Sequence, residues 1–315
     1  MSGDGGQETR VIDFHVHLMD RSWLPGKWWR WLERRDASRG TGLKGVLAKG
    51  RPRGVERFFD PEGRKLLDAM DQGGIHRSVV LPLDYGLLLG EPETSIREQN
   101  RRIAEIALRH PSRIVAFAGV DPRRPEAEAI VEEGICQLGM KGVKLHPGAG
   151  FDPGDDGFRP LMERIAELGV PLLIHTGSAF GPLRSRWCRP LDLDVLLSRY
   201  ADLRIVAAHM GGGWLDELCW TGYMKPQLYA DVSLWQMRCR QAPREFGASL
   251  RKALDMLGME RVLFGTDWPF TADVMSPGKY ADAVRGLSES SGVRFLSAEI
   301  KAILGRNGAR LLGIE

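Results

Sequence analysis

From residue 61 onward, short apolar runs alternate with amphipathic segments along the chain. The runs are rich in β-branched residues and are bounded by glycine, proline or polar residues, which is typical of strands. The segments between them carry apolar residues three and four positions apart, which predicts helices. With one further run near the N-terminus, we predict strands at 11–18, 78–84, 114–122, 141–148, 171–177, 204–212, 228–234 and 261–270.

Eight strands separated by helices favour an α/β fold, a parallel (β/α)8 barrel of the TIM-barrel type. The strands are apolar enough to be covered on both faces, as they are in this fold. A doubly wound open sheet is the alternative. We predict a flexible extension over 1–10 and one domain over 11–315, with 19–60 as a long loop inserted after the first strand. The segment from residue 297 onward predicts an extra C-terminal helix.

The first run, VIDFHVHL, places His15 and His17 two positions apart. Side chains alternate faces along a strand, so both imidazoles lie on one side. A single inward histidine is usually a core residue whose ring nitrogens are satisfied. Here, five of the seven histidines fall at predicted strand ends, which is where a barrel of this type carries its chemistry. The pattern favours a metal site that is completed by another imidazole and a carboxylate.

Five features follow one another in the chain: the His-x-His pair, the histidine of LLIHTG, the histidine of IVAAHMGG, the aspartate of LFGTDWP and the closing helix ILGRNGARLLG. Together they resemble the amidohydrolase superfamily, and within it the amidohydrolase-related branch that includes enzymes like aminocarboxymuconate-semialdehyde decarboxylase. The resemblance implies metal ligands at His15, His17, His175 and Asp267. It also implies catalytic roles for His209 and Asp267. We expect one divalent ion, zinc first, with manganese, iron or cobalt as alternatives.

Lys144 and His146 end the fourth run and share one face of it. Some superfamily members bridge two metals with a carboxylated lysine from this strand. We favour the interpretation that Lys144 is a substrate-binding or structural cation and that His146 lines the substrate pocket. Asp13 shares the inward parity of the histidine pair and is predicted to accept a hydrogen bond from a ligand histidine. Asp231, in the seventh run, is left without an assigned role.

The predicted loop over 19–60 is rich in tryptophan and arginine. One interpretation is that it covers the mouth of the site, with Trp28 and Trp29 contacting the substrate. The alternative is that these tryptophans are buried against helices or a second subunit. Because arginine pairs well with carboxylates, four further residues are candidates for binding an acidic substrate: Arg30, Arg34, Arg51 and Arg53.

The charge balance indicates neither nucleic acid nor a membrane surface as a partner, since 44 basic and 41 acidic residues give a formal net charge of only +3. No apolar stretch is long enough to span a bilayer and the N-terminus is polar, so we expect a cytoplasmic protein. The four cysteines are scattered, which suggests reduced thiols. The expected partners are a small-molecule substrate and a second copy of the chain, because homodimers are common and the tryptophan loop looks exposed.

The leading hypothesis is a metal-dependent hydrolase that uses a metal-activated water to cleave an ester, lactone or amide of a small carboxylated molecule. In hydrolytic relatives, the carboxylate of the eighth strand accepts the water proton and the histidine of the sixth polarises the scissile group. The alternative is a metal-dependent non-oxidative decarboxylase of an aromatic or unsaturated acid. The motifs do not separate the two. A noncatalytic barrel is a third hypothesis, against which the intact ligand set argues.

Overall fold

Short parallel strands form the centre of the molecule. The computed structural model describes residues 10–38 and 54–314. Its strands are β1 (Val11–Val16), β2 (Ile75–Val80), β3 (Ile114–Ala116), β4 (Ala118–Gly119), β5 (Val143–Leu145), β6 (Leu172–Ile174), β7 (Ile205–Ala207), β8 (Leu228–Asp231) and β9 (Val262–Leu263). Each strand pairs in parallel with its neighbour in sequence, except where β3 gives way to β4 at Phe117. Since β3 and β4 lie in one predicted run, they occupy a single position among eight.

The sheet closes on itself between β1 and β9. The backbone N–H of Phe14 donates to the carbonyl of Phe264 at 2.8 Å, and the N–H of Asp267 donates to the carbonyl of His15 at 2.7 Å. An open, doubly wound sheet has no such bonds between its first and last strands. The prediction of a (β/α)8 barrel is therefore confirmed.

One end of the barrel interior is filled by apolar side chains. Phe14 packs edge-on against Phe117, with ring centroids 5.8 Å apart. The cluster contains Ile12, Phe14, Val79, Leu81, Val115, Phe117, Leu173, Val206, Ala208, Leu263 and Leu311. Because Leu311 comes from the C-terminal helix, that helix closes this end. The polar residues of the interior are left at the opposite end, where the strands finish.

Helices connect the strands and cover the outside of the barrel. They are α1 (Gly26–Ser38), α2 (Arg64–Gly73), α3 (Gly86–Leu89), α4 (Ile96–Arg109), α5 (Ala127–Glu132), α6 (Arg159–Glu167), α7 (Asp194–Arg199), α8 (Leu215–Met224), α9 (Gln236–Gln241), α10 (Pro243–Leu257), α11 (Pro277–Arg285), α12 (Leu287–Ser291), α13 (Ser297–Lys301) and α14 (Asn307–Leu312). Helix α4 begins after a capping residue, since the side chain of Ser95 accepts a hydrogen bond from the N–H of Glu98 at 3.3 Å. A π-helical turn at Ala302–Arg306 joins α13 to α14, so the predicted C-terminal helix is present.

The segment predicted as a loop over 19–60 contains a helix, α1, and that part of the prediction is wrong. Trp28, Trp29 and Leu32 lie on the buried side of this helix. Their packing against the rest of the protein stabilises the helix. Trp28 and Trp29 are only 1% and 2% exposed. Trp23 is likewise buried and Trp31 is half-buried, so the homodimer stays a prediction without the support of an exposed tryptophan loop.

Some sequence predictions fall outside the described residues, namely those for 1–9 and for Arg51 and Arg53. Arg30 and Arg34 are exposed on α1 and do not line the pocket described below. Across residues 10–38 and 54–314, we find no helix with the length and apolar character needed to cross a bilayer. The cysteines are free thiols, as expected.

The packing of the C-terminal helix on the start of β1 predicts a destabilising substitution. A Cβ added at Gly305 would overlap the carbonyl oxygen of Arg10. We expect Gly305→Ala to lower the free energy of unfolding by about 1–3 kcal/mol or more, because backbone must move to make room. Gly286→Ala is the matched control, since its Cβ would meet only Asp282 at 3.6 Å. Urea unfolding measures both, and equal stability of the two variants would contradict this packing.

Candidate metal centre

One small pocket at the C-terminal end of the barrel gathers ionisable side chains from five strand positions. It is lined by His15, His17, Trp28, Leu83, Tyr85, Lys144, His146, His175, Phe180, His209, Asp267 and Phe270. Its histidines, Lys144 and Asp267 lie at or just after the ends of β1, β5, β6, β7 and β9. The cavity between them measures about 20 Å³, which is room for one water molecule or ion.

Two of these residues, His209 and Asp267, have unusual backbone angles after the ends of their strands. His209 and Asp267 have φ values of 60° and 59°, in the left-handed region that residues other than glycine seldom occupy. Hydrogen bonds hold the strained backbone in place. The N–H of His209 donates to Asp231 Oδ1 at 3.1 Å, and its carbonyl accepts from Trp235 Nε1 at 2.7 Å.

Three ligand atoms meet at the end of β1. His15 Nε2 and His17 Nε2 lie 3.2 Å apart. Asp267 Oδ1 lies 3.2 Å from the second nitrogen and 3.7 Å from the first. This spacing places two imidazoles and a carboxylate around one point, which is the beginning of a metal coordination sphere.

The hydrogen-bond partners of Nδ1 in His15 and His17 determine the tautomer of each ring. His17 Nδ1 faces the carbonyl of Leu81 at 2.6 Å, and His15 Nδ1 faces the carboxylate of Asp231 at 2.9 Å. Both partners are acceptors, so each Nδ1 carries the proton and each Nε2 presents a lone pair. Two lone pairs and an oxygen of the ionised carboxylate then converge without a donor between them, an arrangement that a bound cation would stabilise. The residues therefore fit a divalent metal ion.

A second group of possible ligands, His15, His209 and Asp231, lies beside the first. The hydroxyl of Ser233 sits among these three side chains. It lies 2.7 Å from His209 Nδ1 and 3.2 Å from His15 Nδ1, and it donates to Asp231 Oδ1. In this structure the hydroxyl bonds these atoms to one another, so the group forms a hydrogen-bonded cluster.

His175, the remaining predicted ligand, belongs to neither of those groups. Its Nδ1 lies 3.2 Å from His209 Nε2, and its ring stacks on His146 with centroids 3.9 Å apart. Its Nε2 is buried and has no hydrogen-bond partner among the described residues. That lone nitrogen is available to a cation in the pocket.

Burial keeps four imidazoles of the pocket neutral. It lowers the pKa values of these four well below the ordinary histidine value: His15, His146, His175 and His209. Neutral imidazole is the form that binds metals. Burial also raises the pKa of Asp267 and lowers that of Lys144 to about 8. A bound cation would reverse the shift at Asp267, because positive charge favours the ionised carboxylate.

Comparison with known proteins agrees with this geometry. The amidohydrolase family model matches residues 12–314. The chain belongs to the amidohydrolase family. This amidohydrolase is an enzyme of that superfamily, as the sequence resemblance implies. It is similar to 2-amino-3-carboxymuconate-6-semialdehyde decarboxylase of Dictyostelium discoideum, with 21% identity over 96% of this chain and 92% of that protein.

Two solved structures share the fold of this amidohydrolase. The 5-carboxyvanillate decarboxylase of Sphingomonas paucimobilis has a TM-score of 0.69 at 18% identity, covering 98% of this chain and 100% of that one. An amidohydrolase of Burkholderia multivorans, solved with bound zinc, has a TM-score of 0.64 at 18% identity, covering 97% of this chain and 100% of that one.

The structure brings most of the predicted site residues of the amidohydrolase into the pocket. Lys144, His146 and Trp28 line it, as the substrate-binding predictions require. Trp29 does not line it. Its ring packs edge-on against Phe59 at 5.1 Å, and its Nε1 donates to the carbonyl of Arg21 at 2.9 Å. Both rings are buried, but side chains at neighbouring helical positions diverge, so Trp28 reaches the pocket and Trp29 reaches Phe59.

Asp13 supports the strand end rather than a histidine ring. Its carboxylate accepts from the N–H and hydroxyl of Thr266, at 2.9 and 2.6 Å, and from the backbone N–H of His15 at 3.2 Å. Burial raises the pKa of Asp13 to about 7. The predicted hydrogen bond from a ligand histidine is therefore present, and it comes from the backbone of His15, while the ring of His15 bonds to Asp231.

Sequence reasoning missed several residues of the pocket and its support. Tyr85, Phe180 and Phe270 line the pocket from loops, whose sequence pattern carries no signal for this. Asp231 was noted in the seventh run without a role, and Ser233 was detectable in principle. They stand two apart at the end of a predicted strand, the same spacing that marked His15 and His17.

The bond from His15 to Asp231 predicts a loss of metal affinity on substitution. In Asp231→Asn, the remaining oxygen is held by the three donors on Oδ1, so the amide nitrogen faces His15 Nδ1 and donates to it. The proton of the neutral ring then moves to Nε2, which removes the lone pair from the ligand group of His15, His17 and Asp267. We expect zinc affinity to fall by about 10–100-fold. Competition with a chelating dye measures it. Asp202→Asn on the surface is the control, and an unchanged affinity of Asp231→Asn would refute this role.

Proposed function

We propose that this member of the amidohydrolase family is a metal-dependent, non-oxidative decarboxylase. Its substrate would be a small acid whose carboxylate is attached to an aromatic or other unsaturated carbon. This was the alternative to hydrolysis in the sequence analysis. It receives more support from the comparisons than the hydrolase hypothesis, because a similar curated protein and a similar fold are both named as decarboxylases.

Lys144 is the observation that carries the proposal. Its side chain is buried, with 2% exposed, and its Nζ has no hydrogen-bond partner among the described residues. Burial lowers its pKa to about 8, while the charges of Asp231 and Asp267 oppose that shift. In the metal-free site, the amine is thus still largely protonated at pH 7. An unpaired buried ammonium is costly, and a substrate carboxylate is the partner that removes this cost.

Aromatic side chains form the walls around this ammonium. Trp28 lies 5.3 Å from Tyr85 and 6.3 Å from Phe270, centroid to centroid, and Phe180 lies 6.1 Å from Phe270. Such rings pack well against the flat, apolar part of an unsaturated acid. The site therefore offers one buried positive charge at the end of an aromatic enclosure.

The enclosure is covered by a loop that is closed on itself. The N–H of Gly177 donates to the carbonyl of Cys188 at 2.8 Å, so residues 177–188 begin and end at one point, as in an Ω-loop. Phe180 on this loop packs against Trp31 of α1, with centroids 6.3 Å apart. Since the cavity beneath holds only about 20 Å³, substrate entry requires this cover to move.

The pocket supplies groups for each requirement of decarboxylation. His15, His17, His175 and Asp267 would hold the metal, which when bound acts as a Lewis acid on the substrate oxygens. Lys144 orients the carboxylate. When the bond to carbon dioxide breaks, its electron pair stays on the substrate carbon, which then takes up a proton. We assign proton transfer to Asp267 and to His209, whose Nε2 must first leave the N–H of His175 Nδ1.

A panel of substrates tests the proposed reaction. Zinc-loaded and manganese-loaded enzyme would be incubated in D2O with aromatic and unsaturated acids and, in parallel, with lactones and amides. We expect one carbon dioxide per turnover and deuterium at the carbon that lost it. Hydrolysis of a lactone or amide without release of carbon dioxide would overturn the decarboxylase proposal in favour of the hydrolase.

The role of Lys144 gives a specific prediction. Lys144→Met keeps most of the side-chain volume and removes the charge, so we expect KM for the best acid to rise about tenfold or more, since a charged hydrogen bond contributes about 1.5–3 kcal/mol. The control is Lys141→Met, an exposed lysine on the same segment. Steady-state kinetics distinguishes them. Equal KM values would remove Lys144 from substrate binding.

The proton-transfer assignments give a second prediction for the same substrate. We expect Asp267→Asn and His209→Ala to lower kcat by about 10³-fold or more, as the loss of a metal ligand or general base does. Circular dichroism should show that both variants are folded. Near-full activity of both, with a normal spectrum, would show that the site assignment is wrong.

A further inference from the structure

Ser233 connects two histidines of the pocket to one carboxylate. The residue is fully buried. Its hydroxyl bonds Asp231 Oδ1 and lies 2.7 Å from His209 Nδ1. His209 in turn places its Nε2 3.2 Å from His175 Nδ1. Four side chains thus form one continuous chain of hydrogen bonds, which ends at the partnerless Nε2 of His175.

The donor and the acceptor of each hydrogen bond in this chain follow from Asp231, at which the chain begins. Asp231 also accepts from the backbone N–H groups of His209 and Ser233, at 3.1 and 2.9 Å. A carboxylate that receives this many donors acts as an acceptor only. The single hydroxyl proton of Ser233 therefore goes to Asp231, and its oxygen is left to accept from His209 Nδ1.

The same reasoning continues outward through the two rings. With its proton on Nδ1, neutral His209 has a lone pair on Nε2, which must accept from His175 Nδ1. His175 is then left with a lone pair on Nε2, the atom that faces no protein partner. Reversal of the chain would put a proton on that atom and prevent it from binding a metal ion.

We propose that Ser233 is a positioning residue that sets the tautomer of His209 and, through it, prepares His175 Nε2 as a metal ligand. The effect of Ser233 on the metal is indirect and passes through His209. It is separate from the effect of Asp231 on His15, whose Nδ1 lies closer to the carboxylate, at 2.9 Å, than to the Ser233 hydroxyl, at 3.2 Å. The proposal concerns metal binding, so it stands or falls independently of the reaction.

A mutant cycle tests the indirect route. Zinc affinity would be measured by competition with a chelating dye for the wild type, Ser233→Ala, His209→Ala and the double variant. We expect Ser233→Ala to weaken zinc binding by about tenfold. In the His209→Ala background the serine substitution should have no further effect, because residues in one network are not additive. Unchanged affinity of Ser233→Ala, or two losses that simply add, would overturn the proposal.

A matched control and a spectrum complete the test. Ser78→Ala removes another buried serine hydroxyl, one that has no hydrogen-bond partner, and should leave zinc affinity unchanged. Ser233→Thr, which keeps a hydroxyl, should restore it. Long-range ¹H–¹⁵N spectra of the zinc-loaded protein should show His209 protonated on Nδ1 in the wild type and not in Ser233→Ala. A wild-type His209 protonated on Nε2, or the same tautomer in both proteins, would refute the relay.

Discussion

The carboxylate of Asp231 is the interaction on which the candidate centre depends. One of its oxygens receives His15 Nδ1, and the other receives the backbone and side chain of Ser233 and the backbone of His209. A single buried charge therefore orients groups from β1, β7 and β8 at once. Burying that charge is unfavourable unless all its acceptor positions are filled. The hydrogen bonds that fill them are the same ones that hold the histidines in place.

The sequence was informative about the barrel and about the histidines for one physical reason. A strand has a side-chain period of two and a parallel barrel gathers its strand ends at one rim. His15, His17, His175, His209 and Asp267 could therefore be assigned to one pocket without knowledge of a single distance. Their roles as metal ligands and catalytic groups remain predictions.

What the sequence left out depends on tertiary contacts. Trp28 and Trp29 are chemically identical and adjacent, yet one lines the pocket and the other packs on Phe59. The difference arises from how α1 lies on the barrel, which no local pattern contains. Asp13 is another case, because its carboxylate bonds the backbone of His15 and Thr266, and the alternation of the strand does not reveal which atoms it reaches.

The choice between hydrolysis and decarboxylation has a similar origin. Both reactions use the same kind of metal ligands, so the motifs that identify the family carry no information about the bond that breaks. The difference lies in what surrounds the ligands. Lys144 comes from a strand and Phe180 and Phe270 from loops, and their combination of charge and aromatic surface becomes visible only when the barrel is closed.

The self-closed loop over 177–188 has a consequence for how this scaffold diversifies. Because Gly177 and Cys188 meet through one backbone hydrogen bond, the intervening chain can lengthen, shorten or change composition without moving β6 or the histidine that follows it. A loop of this kind can change in evolution independently of the strands that it connects. Changes in this loop would alter the surface above the pocket while the histidines and the aspartate at the strand ends keep their positions.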